Sequence, residues 1–378
     1  MDFTFSDEQI MVRDLARGIL EKEVTPERLK KAEAEPDWFD SMLWATLAEA
    51  GLLGLAVPAD LGGMGFGFQE LCALLHEIGR AVAPLPVLPS LVFGGLAIAA
   101  FGTEGQKKEW LAPMAAGEAI LTGALIDAAS TDPAGPATRA RTHGGNWVLD
   151  GEKRLVPAAA LARRMLVPAT TGDGVGIFLV DPRAEGVALT RHRTSTGEPL
   201  FTVTLSSVRT DARDLLGGDA RAGGEMAHWV HERALVAVCA MQTGVSEKAL
   251  DITSRYVCER EQFGVPIGSF QAVQHRAADA YIDLEAMRWV TWRAAWKLAQ
   301  GLPAGRETTV AKFWAADGGA RIASAVQHLH GGIGVDLDYP IHRYFLWSKA
   351  LELGLGGAMP HLASLGRELA RTRPQELT

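Results

Sequence analysis

Arg260-Glu261-Gln262-Phe263-Gly264, reached through Tyr256-Val257-Cys258-Glu259 and followed by Pro266-Ile267-Gly268 and Phe270-Gln271, separates two long helical patterns, 225–258 and 270–300. An arginine at a helix end offers a planar fork of donors suited to phosphate oxygens. Standing between Glu259 and Glu261, Arg260 also fits a plain surface ion pair. A second signature follows, His330-Gly331-Gly332-Ile333-Gly334, with Tyr339-Pro340-Ile341-His342-Arg343 beyond it. Its glycines allow a backbone to approach a ligand closely, although a Gly-Gly run also ends helices.

The bulk properties narrow the function classes. The chain has 378 residues, 48% hydrophobic and 22% charged, with mean hydropathy +0.06, as expected of an apolar globular protein with a large core. Net charge is −8 and the isoelectric point about 5.7, which argues against nucleic acid as a partner. Cys72, Cys239 and Cys258 are too widely spaced for a disulfide framework or zinc site, and buried free thiols in a reducing cytosol are expected. His328, His330 and His342 lack the carboxylate or thiol spacing that completes a metal site, so no metal is expected. The first residues lack a basic and apolar leader, and Ser6 with Gln9 fits a helix start, so no export signal and a cytoplasmic location are expected. No apolar run reaches a membrane span; Leu91 to Phe101 reads as a buried helix.

Residues 6 to about 125 carry helical spacing, with Ile10, Val12, Leu15, Ile19 and Leu20 and again Leu43, Leu47, Leu52 and Leu53. Breaks fall at Pro58, Gly62-Gly63 and Pro84-Leu85-Pro86. Between about 125 and 217 short apolar runs replace that period: 147–149, 165–167, 176–180 and 201–205. Turn formers lie between them at Gly144-Gly145-Asn146, Asp150-Gly151 and Gly172-Asp173-Gly174. This spacing predicts a small antiparallel β-domain. Helical spacing returns over 225–258, 270–300, 305–330 and 343–372. The fold class is α+β, mainly α: an N-terminal helical domain (1–124), a middle β-domain (125–222) and a C-terminal four-helix bundle (223–378).

The two signatures, this order of elements, and the phrase Leu47-Ala48-Glu49-Ala50-Gly51-Leu52-Leu53-Gly54-Leu55-Ala56-Val57-Pro58 with Leu61-Gly62-Gly63-Met64-Gly65 resemble the acyl-CoA dehydrogenase family over essentially the whole chain. The resemblance implies FAD as cofactor, an acyl-CoA thioester as substrate, an electron-transfer flavoprotein as acceptor, and a homo- or heterotetramer. It further implies that Arg260 meets the pyrophosphate of a neighbouring subunit's flavin, with Gln262, Phe263 and Gln271 supporting the same cofactor. Gly331 and Gly332 would line its adenosine end, and His328 stands where the family usually has glutamine.

The same alignment exposes departures. The family's base is usually a glutamate followed by glycine, sixteen residues after the tyrosine of a Tyr-Pro pair; counting from Tyr339 reaches Leu355, which cannot accept a proton. Glu352 lies about one helical turn earlier. Some relatives place the base on an earlier helix, where Ala234 stands here among apolar Ala237, Val238 and Met241, with Glu232 two residues off. Ile126-Asp127 replaces a Thr-Glu pair, and Leu155 and Pro157 replace a Trp-x-Thr pair that packs on the flavin ring. Arg154, Arg163 and Arg164 are candidates for CoA phosphates. This pattern resembles a subunit of the heteromeric acyl-CoA dehydrogenases of bacterial sterol and steroid side-chain degradation, in which two related chains share a flavin site. Gly356, Gly357 and Ala358 would leave room for a wide acyl group. Three readings stand: a base-deficient subunit, a catalytic homo-oligomer using Glu232 or Glu352, and a non-enzymatic helper that keeps the fold alone.

Overall fold

The computed structural model describes residues 4–130 and 132–371. The first part is helical: α1 (Asp7–Glu23), α2 (Pro26–Ala34), α3 (Ser41–Glu49), α4 (Phe68–Ala81), α5 (Leu96–Phe101) and α6 (Glu104–Ala115). Eight strands follow: β1 (Leu121–Gly123), β2 (Ile126–Asp127), β3 (Arg139–His143), β4 (Asn146–Pro157), β5 (Arg164–Thr170), β6 (Val175–Val180), β7 (Val187–His192) and β8 (Leu200–Thr210). Then come α7 (Gly223–Glu259), the hairpin strands β9 (Glu261–Gln262) and β10 (Val265–Pro266), α8 (Gln271–Ala299), α9 (Gly305–His330), α10 (Ile341–Leu353) and α11 (Ala358–Arg371). The chain divides into two compact units: Met1–Pro26, Cys72–Ala83 and Leu235–Thr378 form one, and Glu27–Leu71 and Pro84–Ala234 the other. Among the described residues no helix is long and apolar enough to cross a membrane.

Helix starts follow local chemistry. Ser6 Oγ accepts from the Gln9 amide (3.3 Å), while Gln9 Oε1 accepts from the Ser6 amide (3.1 Å), a reciprocal capping box. Thr103 and Gln106 repeat it at α6, and the Gln106 Nε2 also donates to the carbonyls of Arg213 and Leu215 (2.8 and 2.9 Å). Asp40 caps α3 through the Leu43 amide (2.9 Å) and is gripped by both arms of Arg28.

The β-rich unit holds an eight-stranded sheet in the order β1-β5-β3-β4-β8-β7, with β2 on β4 and β6 on β5. The four short runs named between 125 and 217 are strands, and Leu149, Val167, Phe178 and Val203 from them join Val208 in one buried cluster. Burying each such side chain contributes about 1.5–3 kcal/mol. The sheet is mixed rather than wholly antiparallel, because β5 runs parallel to β1 and β3. Asp150-Gly151 is not a turn between strands; it lies inside β4 beside a register shift. There Asp150 Oδ1 accepts from the Ser207 amide of β8 (2.7 Å), so a turn-forming pair is used as a bulge. Leu91 to Phe101 lies in helix, first a wide π-type turn and then α5.

The other unit is the helical bundle. Helices α4 and α7 cross at close range: a Cβ on Gly79 would sit 2.2 Å from the Met241 carbonyl oxygen, and one on Gly244 1.9 Å from that of His76. Gln242 on α7 donates to Ser348 on α10 (3.0 Å), which donates to the Gly319 carbonyl on α9 (3.2 Å). The expected helix over 343–372 is two helices, α10 and α11, because Gly354 to Gly357 breaks it. Cys72 and Cys239 are buried free thiols, whereas Cys258 is exposed near the end of α7.

Candidate functional site

The first candidate centre is the arm that leaves α7. Pairing of Gln262 with Val265 makes Phe263-Gly264 a two-residue hairpin loop. Both loop residues have positive φ, +53° and +79°, as a type I′ turn requires. Glycine or asparagine ordinarily fills the first of these places; a phenylalanine there is held against its backbone preference. Its ring is 95% exposed, with an edge-on approach to Phe270 at 6.2 Å. Backbone bonds fix the root of the arm: the Arg260 amide donates to the Tyr256 carbonyl (2.8 Å), and the Ile267 amide to the Arg260 carbonyl (2.8 Å). Among the described residues the exposed Arg260 side chain makes no ion pair, with Glu259 and Glu261 or with any other carboxylate. Gln262 Nε2 donates to the Glu261 carbonyl (2.7 Å), and Gln271 is exposed at the start of α8.

The second signature meets the root of this arm. The imidazole of His330, 3% exposed, stacks on Tyr256 with centroids 4.5 Å apart, and the Tyr256 hydroxyl donates to the His330 carbonyl (3.5 Å). His330 Nδ1 donates to the Val326 carbonyl (2.9 Å), leaving Nε2 with a lone pair and no partner among the described residues. Burial pushes the imidazole below its ordinary pKa, the Val326 bond opposing it. The exposed Gly331 and Gly332 follow at once, with open space where each would carry a Cβ, and His328 is exposed one turn earlier. Tyr256 and His330 thus bring the two signatures to one corner of the bundle. Their spacing in sequence, 74 residues apart, gave no sign of the stack.

At Leu355, the position reached by counting sixteen residues from Tyr339, Leu353 to Gly356 form a turn closed by the Gly356 amide on the Leu353 carbonyl (3.1 Å). Gly354 (φ −58°, ψ 128°) and Leu355 (φ +58°) have the angles of a type II turn, so the leucine occupies its glycine seat. Lys312 on α9 is fully buried and donates to the carbonyls of Leu351 and Glu352 (2.9 and 3.0 Å), capping α10. Burial lowers its pKa to about 8. His361 Nε2 on α11 donates to the Leu355 carbonyl (3.1 Å). Lys312 and His361 were not singled out from sequence; a lysine among Ala311, Ala315 and Ala316 on an apolar helix face was the available signal.

Neither alternative carboxylate is idle. Glu352 pairs with Lys349 one turn back (2.5 Å). Glu232 is partly buried, its side chain 19% exposed, and lies 3.7 Å from His228 Nε2. Ala234, Ala237, Val238 and Met241 are all buried and apolar. In the β-rich unit Asp127 is sealed against Lys153 (2.6 Å), with the Thr138 amide (2.9 Å) and hydroxyl on its other oxygen. Leu155 is 53% exposed with φ +53° at the second register shift of β4. The Pro157 carbonyl already accepts from the Thr122 hydroxyl (2.7 Å), and Pro157 has no amide hydrogen to offer a ligand. Arg164 lies over the Trp110 ring at 4.5 Å and bonds Asp181 (3.3 Å), Arg154 pairs with Glu152 (3.0 Å), and Arg163 is exposed. Among the described residues no group of three His, Cys, Asp or Glu side chains is placed to hold a metal ion.

A helical bundle whose hairpin presents an arginine unpaired among the described residues, carried in one chain with a small β-sheet domain, is the plan expected of the flavoprotein dehydrogenases that the sequence resembles. Profiles of the acyl-CoA dehydrogenase N-terminal, middle and C-terminal domains match residues 6–118, 127–206 and 222–369. The chain belongs to the acyl-CoA dehydrogenase family of oxidoreductases, whose members bind FAD. It is 38% identical to the acyl-CoA dehydrogenase FadE27 of Mycobacterium tuberculosis over 380 residues, covering 98% of this chain and 100% of that one. Among solved structures, the ChsE4-ChsE5 complex from Mycobacterium tuberculosis superposes with a TM-score of 0.93 at 38% identity, covering 99% of this chain and 100% of that one. A variant of the Tcur3481-Tcur3483 steroid ACAD gives 0.89 at 43% identity, covering 96% and 98%.

Proposed function

We propose that this chain is a base-deficient subunit of a heteromeric acyl-CoA dehydrogenase, which lends its arm to a flavin site built mainly by a partner chain. The observation that carries the reading is Leu355 in the turn where the family's glutamate is expected, with Glu352 tied to Lys349 instead. The similar ChsE4-ChsE5 structure is a complex of two chains, and the other similar structure is a steroid ACAD, which supports both the pairing and a wide acyl group.

The residues on the arm suit a dinucleotide. Among the described residues Arg260 has no side-chain partner, Phe263 projects, and Gly331 and Gly332 leave room for close approach. In this reading Arg260 holds the pyrophosphate, Gln262, Phe263 and Gln271 flank it, and His328, Gly331 and Gly332 face the adenosine end. The residues where the chain's own flavin ring would be expected, Leu155 and Pro157, suit it poorly. When bound, FAD supplies the acceptor for the hydride leaving Cβ. This chain's part is to bind and orient; the α-proton goes to a base on the partner. An electron-transfer flavoprotein is the proposed acceptor; a similar protein, CarC of Acetobacterium woodii, is a subunit of a caffeyl-CoA reductase-Etf complex. The proposed functional division stays at 1–124, 125–222 and 223–378.

A second reading, a catalytic homo-oligomer, is favoured by the partial burial of Glu232. The visible spectrum of the chain purified alone separates the two. A colourless, inactive preparation that gains flavin and dye-linked acyl-CoA turnover only with a sister chain supports the heteromer. Full flavin occupancy and turnover alone, abolished by Glu232→Gln, supports the homo-oligomer.

A further inference from the structure

The arm and the glycine turn stand on different helices, and one ring stack ties them together. The hairpin β9–β10 has only two residue pairs, too few to hold its own place, so its root has to be fixed by the body of the bundle. Tyr256 lies one turn before Arg260 on α7, and its carbonyl takes the Arg260 amide (2.8 Å). His330 is the last residue of α9, and Gly331 follows it directly at φ +61°, ψ −138°, a conformation that glycine takes far more readily than other residues. Each ring is therefore joined to its signature through at most one turn of backbone. The rings themselves stack, with centroids 4.5 Å apart and planes 22° from parallel. Tyr339 closes over both, edge-on to Tyr256 at 6.3 Å and tilted to His330 at 5.3 Å. The Nδ1 bond to the Val326 carbonyl (2.9 Å) holds the imidazole plane, and the ring is too deeply buried to meet a ligand itself. Aromatic pairs prefer definite geometries, so the cluster sets where its members stand as well as burying them.

We propose that Tyr256 and His330 are positioning residues whose stack fixes the root of Arg260 against the Gly331-Gly332 backbone, so that the two signatures grip one dinucleotide as a single clamp. The proposal rests on the reading that Arg260 meets the pyrophosphate, and Gly331 and Gly332 the adenosine end, of a shared flavin; it does not depend on which chain supplies the base. A ligand that spans both jaws gains from their fixed separation, because the ordering is complete before it binds. One that reaches a single jaw gains nothing from it.

FAD and FMN serve as the two probes. FMN carries the same isoalloxazine ring and one phosphate but no adenosine, so it engages Arg260 at most. Flavin-free assemblies of this chain, with its partner where one is needed, are titrated with each. This chain carries Tyr256→Leu, Tyr256→Phe, His330→Leu, His330→Phe or Arg260→Ala. Both leucine variants remove a ring from the stack. They are expected to lower FAD affinity roughly tenfold, as loss of a charge-assisted contact does, while FMN affinity stays within about threefold of the parent. Both phenylalanine variants keep the stack and hold FAD affinity within about threefold of the parent. In the double variant His330→Leu with Arg260→Ala, the loss is smaller than the two single losses combined, because a misplaced arginine and an absent one forfeit the same contact. Equal losses of FAD and FMN in the leucine variants would mean a general failure of fold or assembly and overturn the clamp. So would FAD affinity unchanged in both while Arg260→Ala weakens it. Where a leucine variant fails to fold, Tyr339→Leu, which removes the ring closing over the stack, takes its place under the same criteria. Failure of the underlying reading looks different: Arg260→Ala itself then leaves FAD affinity unchanged.

Discussion

The ammonium of Lys153 lies 2.6 Å from a carboxylate oxygen of Asp127, and both side chains are sealed from solvent, at 0% and 1% exposure. Thr138 saturates the other carboxylate oxygen through its amide and hydroxyl. Burial lowers the Lys153 pKa to about 8, with the Asp127 charge opposing the shift. A buried pair of this kind adds little net stability, but removing one partner strands the other charge. Lys153→Met is therefore expected to destabilise the protein by about 3–5 kcal/mol, and the double variant with Asp127→Leu to recover most of that loss. Urea unfolding of the three variants checks it, and equal losses in single and double variants would contradict the argument.

His76 gives stability a pH dependence with a definite sign. It is buried between Glu77 (3.1 Å) and Glu247 (3.4 Å), which are also held by Arg17 from α1, Arg80 from α4 and Arg288 from α8. Asp251 on α7 adds a further carboxylate beside Arg80 (3.3 Å). Burial opposes protonation of His76, yet the hydrogen bonds to Glu247 and Glu77 outweigh it and hold the pKa above the ordinary 6.5. A raised folded-state pKa contributes stability that is full below 6.5 and is lost as pH rises through the folded value. Glu77 and Glu247 are shifted down, as His76 and the arginines outweigh burial, so their contribution is present above 4.5 and lost on acidification. The melting temperature is expected to fall on the alkaline side in the parent and to flatten there in His76→Gln. Parallel profiles for the two would remove His76 from this role.

Much of the fold was legible because it is written in local periodicity. Of the apolar positions read in α1, Val12 and Leu20 are buried, joined by Ala16, whereas Ile10 and Leu15 are exposed; the Ser6–Gln9 pair marks the helix start. Strands at 165–167, 176–180 and 201–205 followed from apolar runs between turn formers. What escaped depends on contacts between distant segments. Asp150-Gly151 has turn chemistry but lies in a strand, because β8 takes the Asp150 carboxylate. The break between α10 and α11 was hidden because Leu355 disguises a glycine position. At the candidate site the arm was readable from Arg260 and Phe263-Gly264, whereas the bonds from Lys312 to carbonyls 39 and 40 residues away and from His361 to one 6 residues back were not.

The crossing of α4 and α7 has no room for a methyl group. A Cβ on Gly244 would overlap the His76 carbonyl at 1.9 Å and the Arg80 amide nitrogen at 2.9 Å, and both obstacles are backbone. Backbone atoms in a packed pair of helices cannot swing aside as a side-chain end would. Gly244→Ala is therefore expected to destabilise by about 3 kcal/mol, at the upper end for overpacking, despite alanine's better helix propensity. Gly366→Ala on α11, where nothing lies within 4 Å, is the control and should be neutral or slightly stabilising. Thermal unfolding of both variants supplies the comparison; a stable Gly244→Ala would mean the helices separate easily.

The arm separates stability from assembly. Phe263 adopts φ +53° with its ring 95% exposed, so within this chain the phenyl group brings strain and little packing. Phe263→Gly is expected to leave the isolated chain as stable as the parent or more so by about 1 kcal/mol, since glycine takes this backbone region freely. Arg260→Ala should likewise leave folding unchanged, because its side chain has no partner among the described residues. With a partner chain present the expectation reverses. Losing a bidentate guanidinium–phosphate contact weakens flavin retention by roughly tenfold to a hundredfold, and Arg260→Lys restores only part of it, because a point charge does not reproduce the fork. Flavin absorbance after gel filtration of the mixed chains reads this loss, and melting of the isolated chain reads stability. If Phe263→Gly and Arg260→Ala destabilise the isolated chain while the mixed chains keep their flavin, the arm is a structural hairpin and its cofactor role is lost.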